Sequence, residues 1–206
     1  MQIEILTTIG LGFMLGLKHA LDADHLIAVT TIISNQKSLR SSSLAGTVWG
    51  IGHTMSLLFI GLMVIFLQIH ISEAVALTLE SCVALMLIML GIQSLWKLYR
   101  GELPHVHGKK GHKHSLLVGI VHGMAGSAAL MLLILTTIQS SNLQLLYIMI
   151  FGLGSIIGMT MMSTLIGLPF VLAMNKSMHI HALIRGVAGT SSVVFGLFIL
   201  GYLLQL

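Results

Sequence analysis

Six stretches of this chain, at 5–33, 44–69, 73–97, 115–138, 143–174 and 179–204, run on with almost no charge. About twenty residues of helix cross the roughly 30 Å of hydrocarbon in a bilayer, so each stretch is long enough to span. In hydrocarbon every backbone N–H and C=O must find its partner inside the chain, and apolar runs of this length do so as helices. The expectation is therefore an all-α integral membrane protein with six transmembrane helices. The breaks are SNQKSLRSS, QIHIS, RGELPHVHGKKGHKH, QSSN and MNKSM, and only the third is long. Each is a change of composition rather than a weak dip in hydropathy. A chain of 206 residues that is 56% hydrophobic and 8% charged, with mean hydropathy +1.00, lies outside the range of soluble globular domains.

Charge in the breaks orients the spans. Lys37 and Arg40 lie in the first loop, Lys97, Arg100, Lys109, Lys110 and Lys113 around the third, and Lys176 and Arg185 flank the fifth. The second and fourth loops carry none, so the positive-inside rule puts the odd loops in the cytoplasm and both termini outside. The net charge of +4 sits in short loops and makes no basic face for nucleic acid. The amino terminus lacks the positive region of a cleaved signal and is expected to remain as a spanning helix. Cys82, the single cysteine, lies in an apolar run, which excludes a disulfide framework and a thiolate metal site.

One segment breaks the apolar pattern. GLKHALDADHLIAVTT, residues 16–31, sets Lys18, His19, Asp22, Asp24 and His25 inside the first span. Ionisable groups at bilayer depth are costly, so they pair, face a protein interior and usually serve function. The structural alternative is an ion pair between Lys18 and Asp22, four residues apart, with the histidines bonded to carbonyls. Two imidazoles and two carboxylates within seven residues is too dense for that, and imidazole nitrogen suits nickel, cobalt, copper and zinc. On a straight helix His19, Asp22 and His25 share an arc of about 120°, whereas Asp24 points away from Asp22. Either the helix unwinds here, as in transporters with broken helices, or Asp24 acts through another ligand or a partner helix.

Further polar residues lie deep in later spans. His53 in WGIGHTMSLL and His122 in VHGMAGSAAL are candidate ligands, with interhelical hydrogen bonding through Thr54 or Ser56 as the structural alternative for His53. Glu80 pairs with Lys18, relays protons or snorkels. His105, His107, His112 and His114 beside lysines form a tract that binds borderline metals weakly or meets anionic headgroups. The chain also echoes itself. Gly16-x-x-His19 matches Gly119-x-x-His122, GHTMSLLFIGL from Gly52 aligns with GMTMMSTLIGL from Gly158, setting Met159 against His53, and Leu90-Gly91 echoes Leu200-Gly201. Each half, 1–100 and 115–206, would hold three helices around the His-rich cytoplasmic loop 101–114. Three is odd, so the halves would be inverted in one transmembrane domain, an architecture with a midplane substrate site in many secondary transporters.

The stretch HALDADH, His19 to His25, resembles the His-x4-Asp-His signature of the nickel/cobalt permease (NiCoT) family, and IGHTMSLL resembles a variant of that family's second motif. The later motifs of the long permeases are absent. VHGMAGSAAL instead resembles the shorter six-helix nickel permeases found beside urease genes. The resemblance implies nickel uptake for metalloenzymes such as urease, with His19, Asp22, Asp24, His25 and His53 carried over from the motifs and His122 from the short-permease pattern and the repeat. Related proteins with His-rich loops export nickel and cobalt, so direction is not fixed by the resemblance.

The reading that results is a secondary transporter of a divalent transition metal, most simply nickel, with cobalt the other candidate. It sits in the bacterial cytoplasmic membrane, has the ion as substrate rather than as a bound cofactor, and leaves a homo-oligomer open. No nucleotide-binding motif is present, so ATP would have to come from another subunit. Two rivals are a membrane metalloenzyme, which usually shows repeated His boxes or HExxH, absent here, and a subunit that binds metal without moving it.

Overall fold

The computed structural model describes residues 2–68, 72–102, 109–124, 137, 138 and 140–205. Within them the chain is entirely helical: α1 (Gln2–His19), α2 (Ala23–Ile33), α3 (Leu39–Leu67), α4 (Glu73–Tyr99), α5 (Lys109–Gly123), α6 (Ser141–Lys176) and α7 (Met178–Leu203). Four of these, α3, α4, α6 and α7, are long and apolar enough to cross a membrane, and α1 and α2 are shorter apolar helices. His105 and His107 lie outside the described residues. α5 begins at Lys109, so His112 and His114 stand on its first turns rather than in a loop ending at residue 114.

The packing is that of a protein solvated by lipid. Ile3, Phe59, Leu183 and Phe198 project outward, each more than 60% exposed, as does the lone Cys82 on α4. The buried set, by contrast, includes His19, His25, His53, His122, Ser34, Ser155, Ser163 and Ser192. A shell of large apolar side chains around a partly polar interior suits a solvent that cannot hydrogen-bond, and the chain is a multi-pass membrane protein. Hydroxyls join the helices: Thr54 donates to the Gly152 carbonyl at 3.2 Å, Ser56 to Ile120 at 2.8 Å and Ser192 to Leu87 at 2.7 Å. Such bonds average about 0.6 kcal/mol in membranes, so the close fit of the backbones carries more of the association.

That fit depends on glycine, and its contacts come in matched pairs. A β-carbon on Gly16 of α1 would overlap the Phe151 carbonyl of α6, and one on Gly119 of α5 would overlap the Trp49 carbonyl of α3. The reverse contacts match too, with Gly52 of α3 against Leu116 and Ile120 of α5, and Gly154 of α6 against Phe13 and Leu17 of α1. In α4 and α7, Gly91 meets Gly189 and Val193 while Gly196 meets Ala84 and Ile88. The Gly-x-x-His match thus recurs in the packing. In the second pair, however, the matching contacts fall at Gly52 and Gly154, which precede His53 and Ser155, whereas the sequence echo sets Gly52 beside Gly158. In the third they fall at Gly91 and Gly196, while Gly201 has open space around it.

The apolar run 5–33 is two helices, not one. α1 closes on tight turns, with the Leu21 N–H donating to the Lys18 carbonyl at 2.9 Å and the Asp22 N–H to His19 at 3.1 Å. Asp22 then turns extended (φ −62°, ψ 146°), and its carbonyl accepts from Leu26 N–H at 3.0 Å to start α2. Of the two alternatives posed by the crowded motif, the unwound helix is the one adopted.

Candidate metal centre

Breaking the helix between His19 and Ala23 lets side chains on either side converge. His19 ends α1, while Asp24 and His25 open α2, where the positive end of the helix dipole favours a carboxylate. The Asp24 Oδ1 accepts from the His25 backbone N–H at 2.9 Å and lies 3.0 Å from its Nδ1. Helix α3 brings His53 and helix α5 brings His122 into the same space. His19 Nε2 lies 3.0 Å from His53 Nε2, and His122 Nε2 lies 3.0 Å from Asp24 Oδ2.

Four histidines from four helices are therefore buried around one point, with His25, His53 and His122 fully inaccessible. Among the described residues the donors form two groups, His19 with His25 and His53, and Asp24 with His25 and His122, each with its donor atoms within 4.8 Å of one another. Donors at about 2.1 Å from one ion are at most about 4.2 Å apart, so either group could close on an ion with a shift of roughly half an ångström.

The hydrogen bonds leave several buried ring nitrogens uncommitted among the described residues. Asp22 Oδ2 lies 2.9 Å from His19 Nδ1, and an Nδ1–H donated to it makes His19 Nε2 a base facing the centre. Asp24 does the same for His25, whose Nε2 has no partner among the described residues, as is true of Nδ1 on His53 and His122. A carboxylate holding an imidazole by its far nitrogen is the usual support for a metal-binding histidine. Buried imidazole nitrogens without partners are costly in a purely structural cluster.

All six residues singled out in the sequence meet here. Asp22 falls outside both donor groups and its side chain is 42% exposed, so it orients His19 from behind. Its ion pair is with His19 rather than Lys18, and among the described residues Glu80 makes no ion pair with Lys18. Thr54 and Ser56 do bond across to neighbouring helices, leaving His53 for the centre. The sequence reading missed the aromatic walls. The Trp49 ring lies 5.5 Å from that of His25 and 5.6 Å from that of His122, and Phe151 stands 5.5 Å from His19. Trp49 is one helical turn before His53, the only signal that it shares its face. It also missed a second polar cluster, where Arg185, buried within α7 rather than beside a loop, donates to the Glu102 carbonyl at 2.8 Å, close to buried His181.

Comparison with known proteins gives three findings. Residues 5–117 match the model of the NicO family, described as a high-affinity nickel-transport protein. A urease accessory protein, UreH, from Bacillus sp. is 40% identical over 95% of this chain and 91% of its own length. A Methanocaldococcus jannaschii protein provisionally described as a nickel/cobalt efflux system is 30% identical over 72% of this chain and 71% of its own. No solved structure matches.

Proposed function

The chain belongs to the NicO family of high-affinity nickel-transport proteins, a family of metal transporters rather than enzymes, and from that premise we propose that it carries Ni²⁺ inward across the bacterial cytoplasmic membrane through the buried His/Asp centre. The observation that carries this reading is the convergence of His19, Asp24, His25, His53 and His122 at a helix break, with buried ring nitrogens of His25, His53 and His122 left without partners among the described residues. Imidazole binds nickel and cobalt well, and the carboxylates of Asp22 and Asp24 offset a dication that hydrocarbon cannot solvate.

Alternating access follows if six spans form two inverted halves, 1–100 and 115–206, that rock about the centre. The reciprocal glycine contacts support this, with a register of 103 residues between Gly16 and Gly119 and 102 between Gly52 and Gly154. Both termini then face outward. The urease accessory relative favours uptake of nickel, and the efflux relative supports the opposite direction as a second reading.

Proteoliposomes holding only this protein test the proposal. Radiolabelled nickel should accumulate inside them, and fail to do so when His25→Gln replaces the native chain. No nickel movement by correctly inserted protein would overturn transport. Whole cells that lose labelled nickel faster on expression would establish export.

A further inference from the structure

The two donor groups of the centre share one member. His25 belongs to both, His19 and His53 to one only, and Asp24 and His122 to the other. We propose that the centre is two alternative positions for the ion, pivoting on His25, and that a divalent cation exchanges the His19/His53 pair for the Asp24/His122 pair as it is carried. This rests on the transport reading and specifies how its site is divided.

Geometry separates the positions. The His53 and His122 rings lie 6.1 Å apart at 78° and fall in no common donor group, whereas His25 lies 4.1 Å from the His122 ring and 5.0 Å from the His53 ring. Nitrogens on one ion lie within about 4.2 Å of each other, and no donor group within 4.8 Å contains both His53 and His122, so neither position as built uses both outer histidines. Helices α3 and α5 are fixed against each other at one close seam, because a β-carbon on Gly52 would strike the α5 backbone and one on Gly119 the α3 backbone. His25 can serve both positions through its Nε2, with its ring held by the Asp24 carboxylate at the other nitrogen. Its Nδ1 faces Asp24, and its buried Nε2 has no partner among the described residues.

The positions differ in charge. One is three neutral imidazoles, and the other contains a carboxylate that compensates part of the ion's charge. Only the second position draws on both halves, since His19, Asp24, His25 and His53 lie in 1–100 and His122 lies in 115–206. Rocking of one half against the other would therefore remake the second position while leaving the first intact.

Co²⁺ added to the purified full-length protein in detergent reports the ligands through its visible absorption. Wild type should bind one Co²⁺. His53→Gln should bind one Co²⁺ with the spectrum of a mixed nitrogen and oxygen site, and His122→Gln one Co²⁺ with that of a nitrogen-rich site. Each single variant should lose no more than about tenfold in affinity, because the ion retreats to the other position, while the double variant and His25→Gln should lose more than about a hundredfold. Both single variants should bind yet move nickel at least about tenfold more slowly in proteoliposomes. Far-ultraviolet circular dichroism of each variant must match wild type for its titration to count, and His→Asn at the same positions replaces any that does not. Indistinguishable spectra in the two single variants, or a single variant as weak as the double, would overturn the two positions. Wild-type protein that binds Co²⁺ in this way but moves no nickel would overturn the transport reading and leave the two positions standing.

Discussion

At the scale of single residues the centre ranks its own members. His25→Gln keeps volume and hydrogen bonding but removes the donor common to both groups, so it should abolish metal binding, and isothermal titration with Ni²⁺ would reveal any surviving affinity. Asp22→Asn removes only the carboxylate behind His19 and should weaken binding by about 10–100-fold. Protons should compete with metal throughout, because histidine must be neutral and aspartate ionised to ligate. Since unperturbed histidine titrates near pH 6.5, affinity for Ni²⁺ measured between about pH 8 and 5 should fall as the medium becomes acidic. A flat profile would mean that the donors are not imidazoles. Much of this was legible in the sequence because His19, Asp22, Asp24 and His25 crowd into seven residues, and because His53 and His122 are isolated polar residues in apolar surroundings. Trp49 and Phe151 were not legible, since an aromatic in an apolar helix looks like any packing residue until its neighbour is known. Arg185 lies inside the apolar run 179–204, and that it turns into the packing was not legible because its partner, the Glu102 carbonyl, is remote in sequence.

At the scale of elements, the break between α1 and α2 is what makes a centre out of a motif. Periodicity could pose that break but not decide it, because a broken helix and a straight one share the same apolar run, and the outcome depends on His53 and His122 arriving from elsewhere. The glycine contacts were legible in the same partial way. Gly-x-x-His gave the register of the α1/α5 pair, but in α3 and α6 a run of small residues aligns almost as well one turn out of step, and only the facing backbones choose between the registers. Those contacts make a prediction. Gly16→Val and Gly119→Val should each destabilise the protein by about 1–3 kcal/mol or more, with matching losses in thermal stability in detergent, because each drives a side chain into the same kind of carbonyl. Gly10→Val, with open space around its position, should change little.

At the scale of the whole molecule, the proposed topology sets the loop between α4 and α5 in the cytoplasm and both ends outside. Gly108→Cys and Leu206→Cys should then label from opposite sides of intact cells with a polar maleimide, and labelling of Gly108→Cys from outside would reverse the orientation. Native Cys82 should stay silent, since it faces lipid, where a polar reagent does not go. Replacing His105, His107, His112 and His114 together should leave transport largely intact, because the buried donors come from other positions, and complete loss of nickel uptake with normal insertion would place that tract on the path. The exposure of Asp22 has an electrical consequence. A carboxylate 42% exposed cannot face hydrocarbon, so it faces water, and water at Asp22 brings the conducting phase to the edge of the donors around His25. The membrane voltage then falls mainly across the protein beyond them. An inside-negative potential of about 100 mV is worth roughly 4.6 kcal/mol to an uncompensated dication crossing the full drop. Inward movement would draw on that voltage, whereas outward movement would have to overcome it or carry compensating charge.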